Sequence, residues 1–196
     1  ADGAARLDAL VAGADVVVLG YRPNSLAGIG LDPASLAARH PGLVVGQLSA
    51  WGHEGDAARR GGFDSLVQAA SGIALIEGTD GAPGALPAQA LDHASGYLLA
   101  AAICSLLDRR RLEGGSLLAR LSLRRTAAEL LRLPRRTDSA GPRSLDDAAR
   151  EALAVDLAGS AGTQRIAVPA IASPTGPMEW GSPPHAWGSD APEWAE

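Results

Sequence analysis

Lysine is absent from the 196 residues; all 17 cations are arginine. With 24 glycines and heavy use of alanine, this reads as codon bias rather than chemistry. Cysteine occurs once, as Cys104. That excludes an internal disulfide and a thiolate metal site, and its place in an apolar helix makes it an expected small core residue. Aromatic residues make up 4% and the net charge is -5. No basic stripe interleaves with aromatics, so nucleic acid is not an expected partner. No apolar run reaches the ~20 residues needed to cross a bilayer, and Ala1-Asp-Gly-Ala-Ala-Arg6 lacks the order of a signal peptide. No membrane association is expected, and the cytoplasm is the default compartment. The chain opens on Ala1 rather than Met, so it reads as beginning inside a longer protein or after processing. The four histidines, His40, His53, His93 and His185, lack metal-ligand spacing, so no metal site is expected. Ser49, Ser71 and Ser122 lack a nucleophile-elbow frame. There is no Walker A or G-x-G-x-x-G motif, and Gly28-Ile-Gly30 is too short to count.

What is present is a globular composition, long enough for one good core and a small appendage. Ala4–Ala12 reads as an amphipathic helix. Ala14-Asp-Val-Val-Val-Leu19 is a β-branched run, as in a parallel strand buried on both faces. Asp32 and Pro33 supply an N-cap and an N1 proline for a helix to about Arg39. Leu43 to Ser49 is a second strand, and the β-α-β order predicts a parallel pair. Asp64 to Ser71 is helical, Ile73 to Pro87 a Gly/Pro-rich loop, and His93 to Leu112 the longest helix, with Tyr97, Leu98, Ala101, Ala102 and Leu106 spaced for burial. Leu117 to Leu123 is a strand and Thr126 to Leu133 a helix. The spacing predicts an α/β fold, with a Rossmann-like parallel sheet carrying helices on both faces. The expected organisation is a core over residues 1–133, a Pro/Arg/Gly/Ser linker over 134–144, and a C-terminal part over 145–196. In that last part a helix is expected over Leu145–Leu157 and a short strand over Gln164–Ala170. An irregular tail follows, pinned to a surface by Trp180, Trp187 and Trp194.

Two residues carry candidate chemistry. Arg22 follows the first strand, either as a solvated arginine or as a cation aimed at a ligand phosphate. Asp92 lies where a Pro-rich loop meets the longest helix. A carboxylate there caps the helix by accepting free backbone N–H groups, or serves as a nucleophile at the positive end of the helix. Taken alone, the residues favour the cap.

Several ordered segments then resemble one family. These are Ala14-Asp-Val-Val-Val, Arg22-Pro23, Pro41-Gly-Leu-Val-Val, Ser49-Ala-Trp-Gly52, Gly62-Phe-Asp-Ser-Leu-Val-Gln-Ala-Ala-Ser-Gly72, an Asp opening a long helix, and Gly114-Gly-Ser-Leu-Leu-Ala-Arg-Leu-Ser-Leu123. Together they resemble the family III CoA-transferases, the formyl-CoA-transferase-like proteins, over roughly Ala14 to Leu133. Ser182-Pro-Pro-His-Ala-Trp-Gly188 is similar to that family's closing segment. The chain departs from the pattern at Leu19-Gly20, Asn24 and Gly28. The family's N-terminal third and smaller middle domain lie outside the match.

The resemblance implies that Asp92 attacks an acyl-CoA thioester to form a mixed anhydride, which CoA then converts to an enzyme thioester. Gly20, Tyr21, Arg22, Arg60 and Phe63 would lie along the CoA channel. Coenzyme A would be a substrate and no cofactor would be held permanently. The partners would be acyl-CoA, an acceptor carboxylate, and a second chain in a homodimer or heteromer. Related racemases carry His where this chain has Phe63, which cannot move a proton, so racemisation is disfavoured. The alternative is a catalytically silent half or partner subunit, in which Asp92 only caps its helix.

Overall fold

The computed structural model describes residues 2–134, 144–160, 162–174, 176–177 and 179–194. The chain divides into two compact units, Ala1–Arg135 and Arg136–Glu196. Most of the expected linker at 134–144 lies outside the described residues.

The first unit is built on a three-stranded, wholly parallel sheet of β1 (Val16–Leu19), β2 (Val44–Ser49) and β3 (Leu117–Ser122), in the order β1-β2-β3. Val16 sits opposite Val44, and Val44 opposite Leu117. The β-branched run before Gly20 is a strand, but not one covered on both faces. β1 is an edge strand with Val18 58% exposed, and β2 is the buried centre. One face of β1 and β2 packs on helix α1 (Asp2–Ala12) and helix α2 (Pro33–Arg39), through Val11, Leu19, Leu36, Leu43 and Val45. As expected, Asp32 caps α2, accepting from the amides of Ala34 and Ser35 at 3.1 and 3.0 Å, and the Ser35 hydroxyl, together with these amides, holds its carboxyl below the usual range.

The other face carries helix α5 (Ala90–Glu113). Gly46 allows the approach: a Cβ there would lie 2.8 Å from Ile103 Cδ1. Between β2 and α5 come helix α3 (Asp64–Ser71) and helix α4 (Ile73–Ile76), the latter inside the expected loop. Helix α6 (Leu123–Arg132) follows β3 directly, because Ser122 caps it by accepting from the Arg125 amide. Val67, Ile73, Leu91, Leu123 and Ala127 form a second core where these helices meet.

α5 corrects three expectations. Leu91, Ser95 and Leu99 are its buried positions, while Tyr97 and Leu98 are each 52% exposed. Cys104 is exposed rather than in the core. The helix is also long and apolar enough, by length and composition alone, to cross a membrane. Here its Leu99 and Ile103 side chains lie against Gly46 of the sheet. Its far end is tied down by Arg110, which donates to Gly42 O (3.1 Å) and to Asp15 Oδ1 (2.7 Å).

In the second unit, helix α7 (Asp147–Ala152) is capped by Asp146, which accepts from the Ala149 amide at 2.8 Å. It is shorter than the expected Leu145–Leu157 helix. Residues Ala154–Gly159 form β4 instead, paired antiparallel with β5 (Gly162–Ala167). Alternating exposure along β4, with a partner strand three residues on, overrides local helix propensity. β6 (Ala172–Ser173) and β7 (Gly176–Pro177) make one short ladder in the tail. Trp180 donates to Ala167 O at 2.8 Å. Trp187 is fully exposed and pins nothing.

Candidate active site

The carboxyl ends of parallel strands are where open α/β sheets gather ligand-binding loops. A cavity of about 200 Å³ lies there. Gly20, Tyr21, Arg22 and Pro23 line it from the turn after β1, and Leu48, Ser49 and Ala50 from the end of β2. Gly62 and Phe63 precede α3, Leu123 follows β3, and Asp92 comes from the first turn of α5. Five of the six residues singled out in the sequence, Asp92, Gly20, Tyr21, Arg22 and Phe63, therefore share one cavity. Arg60 is not among its lining residues. It closes the 3-10 turn Asp56–Arg59, is exposed, and donates its backbone N–H to Ala57 O.

The loop after β2 is held from within. Ser49 Oγ both donates to Gly52 O and accepts from Gly52 N. Trp51 Nε1 donates to Gly61 O at 3.0 Å, which joins the β2 loop to the segment leading into Phe63. Phe63 is 74% exposed at the rim, and Tyr21 is also exposed. Among the described residues no carboxylate pairs with Arg22.

Asp92 does not cap α5. The N-cap position is Gln89, which makes no side-chain cap bond, and Asp92 stands three residues inside the helix. The cap comes from elsewhere. Asp64, 1% exposed at the start of α3, accepts from the amides of Leu91 (2.7 Å) and Asp92 (3.0 Å) through Oδ2. These are the second and third amides of α5, the two that a capping side chain satisfies. Asp64 Oδ1 accepts from Gln68 Nε2, and Gln68 Oε1 accepts from the Leu86 amide at 2.9 Å. Sequence reasoning missed Asp64 because it sits 28 residues from Asp92 and reads locally as the first residue of its own helix. Its only signal was its place inside the Gly62–Gly72 motif.

This arrangement reverses one expectation about charge. A helix N-terminus by itself favours an ionised carboxylate. Here the Asp92 carboxyl is raised above its ordinary 3.8, first by partial burial against the cavity wall and then by the charge of Asp64, with His93 opposing. The amides of Leu91 and Asp92 are also spent on Asp64, so they do not face a developing oxyanion. Ala88, two residues before α5, has φ 69°. That conformation costs a residue with a side chain about 1–2 kcal/mol. Hydrogen bonds to a carboxylate contribute about 1.5–3 kcal/mol each, enough for the two amide bonds to Asp64 to offset the strain.

The sheet order and the crevice at its strand ends define an α/β protein whose carboxyl edge carries a cavity with a carboxylate, Asp92, in its lining. The family model of CoA-transferase family III matches residues 1–145, and the chain belongs to that family. It is 37% identical over 102 residues to a probable fatty acyl-CoA transferase of Mycobacterium tuberculosis, a match covering 52% of this chain and 26% of that protein. It is 34% identical over 89 residues to the alpha subunit of a succinyl-CoA–L-malate CoA-transferase of Chloroflexus aurantiacus, covering 45% of this chain and 21% of that one. The orthorhombic crystal structure of the mycobacterial protein superposes with a TM-score of 0.62 at 32% identity, over 66% of this chain and 36% of that chain. A CAIB/BAIF family protein from Brucella suis gives 0.63 at 27%, over 83% and 44%. The chain thus spans about a quarter of the length of the curated relatives it matches.

Proposed function

We propose that the chain carries the nucleophile-bearing part of an acyl-CoA:carboxylate CoA-transferase, with Asp92 as the catalytic residue. The observation that carries this reading is the meeting of Asp92, Arg22, Tyr21 and Phe63 in one cavity at the carboxyl ends of β1 and β2, in a chain of this family. An Asp92 oxygen attacks the thioester carbonyl carbon, the C–S bond breaks, and CoA leaves as the thiolate. The resulting acyl-aspartyl anhydride is attacked at the aspartyl carbonyl by the thiolate, releasing the donor acid as carboxylate and leaving an aspartyl-CoA thioester. An acceptor carboxylate reverses the sequence, giving the new acyl-CoA and free Asp92. Covalent catalysis of this kind divides one difficult transfer into easier steps, and no step needs a proton, in keeping with Phe63 beside the aspartate. Gly20 and Tyr21 leave the mouth open for the thioester, and Arg22 offers its charge to the CoA phosphates. Arg60, off the cavity, would act only on the outer parts of a bound CoA. Coenzyme A is a substrate, and nothing is held permanently.

One observation favours a second reading. At about 200 Å³ the cavity is smaller than the ~300–1,000 Å³ of sites that enclose drug-sized ligands. A half-site completed by a second chain, in a homodimer or heteromer, accounts for that. Incubation with an acyl-CoA followed by hydroxylamine trapping, with mass analysis of the Asp92 peptide, tests the first reading. It predicts a hydroxamate on Asp92 that is missing in Asp92→Asn. An unmodified wild-type peptide, with the fold intact, sinks the reading for this chain alone. An adduct that appears only when a second family chain is added supports the half-site.

A further inference from the structure

Asp64 is the most buried carboxylate near the cavity, and neither of its oxygens faces solvent. Through Oδ2 it holds the amides of Leu91 and Asp92. Through Oδ1 and Gln68 it reaches the Leu86 amide. The two ends of segment 86–92 are therefore fastened to α3 by two side chains, on either side of the left-handed residue Ala88. The last peptide unit fastened is that of Asp92 itself, so the direction of its side chain follows from this clamp.

We propose that Asp64, steadied by Gln68, is a positioning residue for acyl transfer: it fixes the backbone of Asp92 so that the carboxylate faces the Tyr21–Phe63 cavity. This rests on Asp92 being the nucleophile. The titratable and charged groups around it are Asp64 from α3, His93 on its own helix, and Arg22 and Tyr21, which line the same cavity. Of these, Asp64 raises the Asp92 carboxyl and His93 lowers it.

A cap that served stability alone would be replaceable by any group that restores the fold. Two variants separate the roles. In Asp64→Asn the side-chain oxygen still reaches the α5 amides, but its NH2 meets the NH2 of Gln68. In the double variant Asp64→Asn/Gln68→Glu the carboxylate now on α3's second turn accepts from the introduced side-chain NH2 and from the Leu86 amide. Every hydrogen bond returns while the negative charge moves away from Asp92. The measurements are the rate of trapped Asp92 adduct against pH, hydrogen exchange at the amides of Leu91 and Asp92, and the carboxyl titration of Asp92 by 13C NMR.

The single variant is expected to lose amide protection and to form adduct about 100-fold more slowly per folded molecule, the usual scale for a misplaced reacting group. The double variant is expected to regain both, with the Asp92 titration midpoint and the acid limb of the rate profile moved to lower pH. A wild-type adduct rate in Asp64→Asn overturns the proposal. So does a double variant that regains amide protection without regaining rate, or a titration midpoint that stays where it was. The last two measurements need no turnover. A wild-type chain that forms no adduct, alone or with a second family chain added, refutes the nucleophile reading, while exchange and titration still report on Asp64.

Discussion

Replacing Gly62 by alanine puts a methyl group into a space the fold does not have. An added Cβ would lie 2.5 Å from Ala50 Cβ and 2.6 Å from Trp51 Nε1. Neither neighbour is the free end of a flexible side chain. Ala50 is held by its carbonyl, which accepts from the Arg124 amide at 3.0 Å, and the Trp51 ring is held by its bond to Gly61 O. To restore ordinary contact, both must retreat by most of an ångström. Overpacking of this kind costs about 1–3 kcal/mol, and loss of the Trp51–Gly61 bond adds about 1 kcal/mol. The expected destabilisation is therefore about 2–4 kcal/mol, read as a lowered urea midpoint with an unchanged slope. Ala50→Gly in the same chain removes one of the two collisions and is expected to restore about half of the loss, a coupling that a double-mutant cycle measures. A cost under about 0.5 kcal/mol, the range of an indifferent surface change, would refute the account of this loop as rigid. So would strict additivity with Ala50→Gly.

Three further changes test other parts of the unit. Because the folded Asp92 carboxyl is raised above 3.8, the native state binds its proton more tightly than the unfolded chain, and stability falls as pH rises through that window. Asp92→Asn should therefore melt above the wild type at pH 7 and together with it below about 3.8; a variant melting lower at pH 7 contradicts the assigned cost of burying the Asp92 charge and its repulsion by Asp64. Ser95→Ala removes the buried Ser95–Thr126 hydroxyl bond of 2.7 Å, at an expected cost of about 1–3 kcal/mol in urea unfolding, with a smaller further loss on adding Thr126→Val. Arg110→Lys cannot span Asp15 and Gly42 together and should cost about 1 kcal/mol, accompanied by faster hydrogen exchange in the last turns of α5.

How much of this could be read in the sequence depended on the range of the forces involved. Val16–Leu19 and Val44–Ser49 are β-branched or apolar runs whose neighbours point the same way, and Asp32-Pro33 is a cap written in adjacent residues, so both strands and α2 were legible. The clustering of Tyr21, Arg22, Phe63 and Asp92 was legible only through the ordered family motifs, since the cavity is made by strand order rather than by any local pattern. The cap of α5 was illegible for a similar reason: its donors and acceptor stand on different helices. The buried face of α5 was misread because the helix is apolar all round, with Ala and Leu on every side. What selects Leu91, Ser95 and Leu99 is the packing of β2, β3 and α6. Residues 154–157, expected at the end of a helix, lie in a strand because a partner strand lay within reach, a choice that no intrinsic propensity contains.

The order of the three strands has a kinetic consequence. Val16 and Val44 find each other across 28 residues, and Val44 and Leu117 across 73. Loop-closure entropy grows with the logarithm of that span, so the second pairing is the dearer by roughly 1 kcal/mol, and pairings distant in sequence form slowly. The turn after β1 and the loop after β2 can meet early, as one half of the cavity. Asp92 joins them only when α5 and β3 close the longer circuit over Gly46. The Asp92 carboxylate thus joins the cavity only with that longer circuit, and synthesis halted before β3 would leave the walls built from β1 and β2 with no acid held among them.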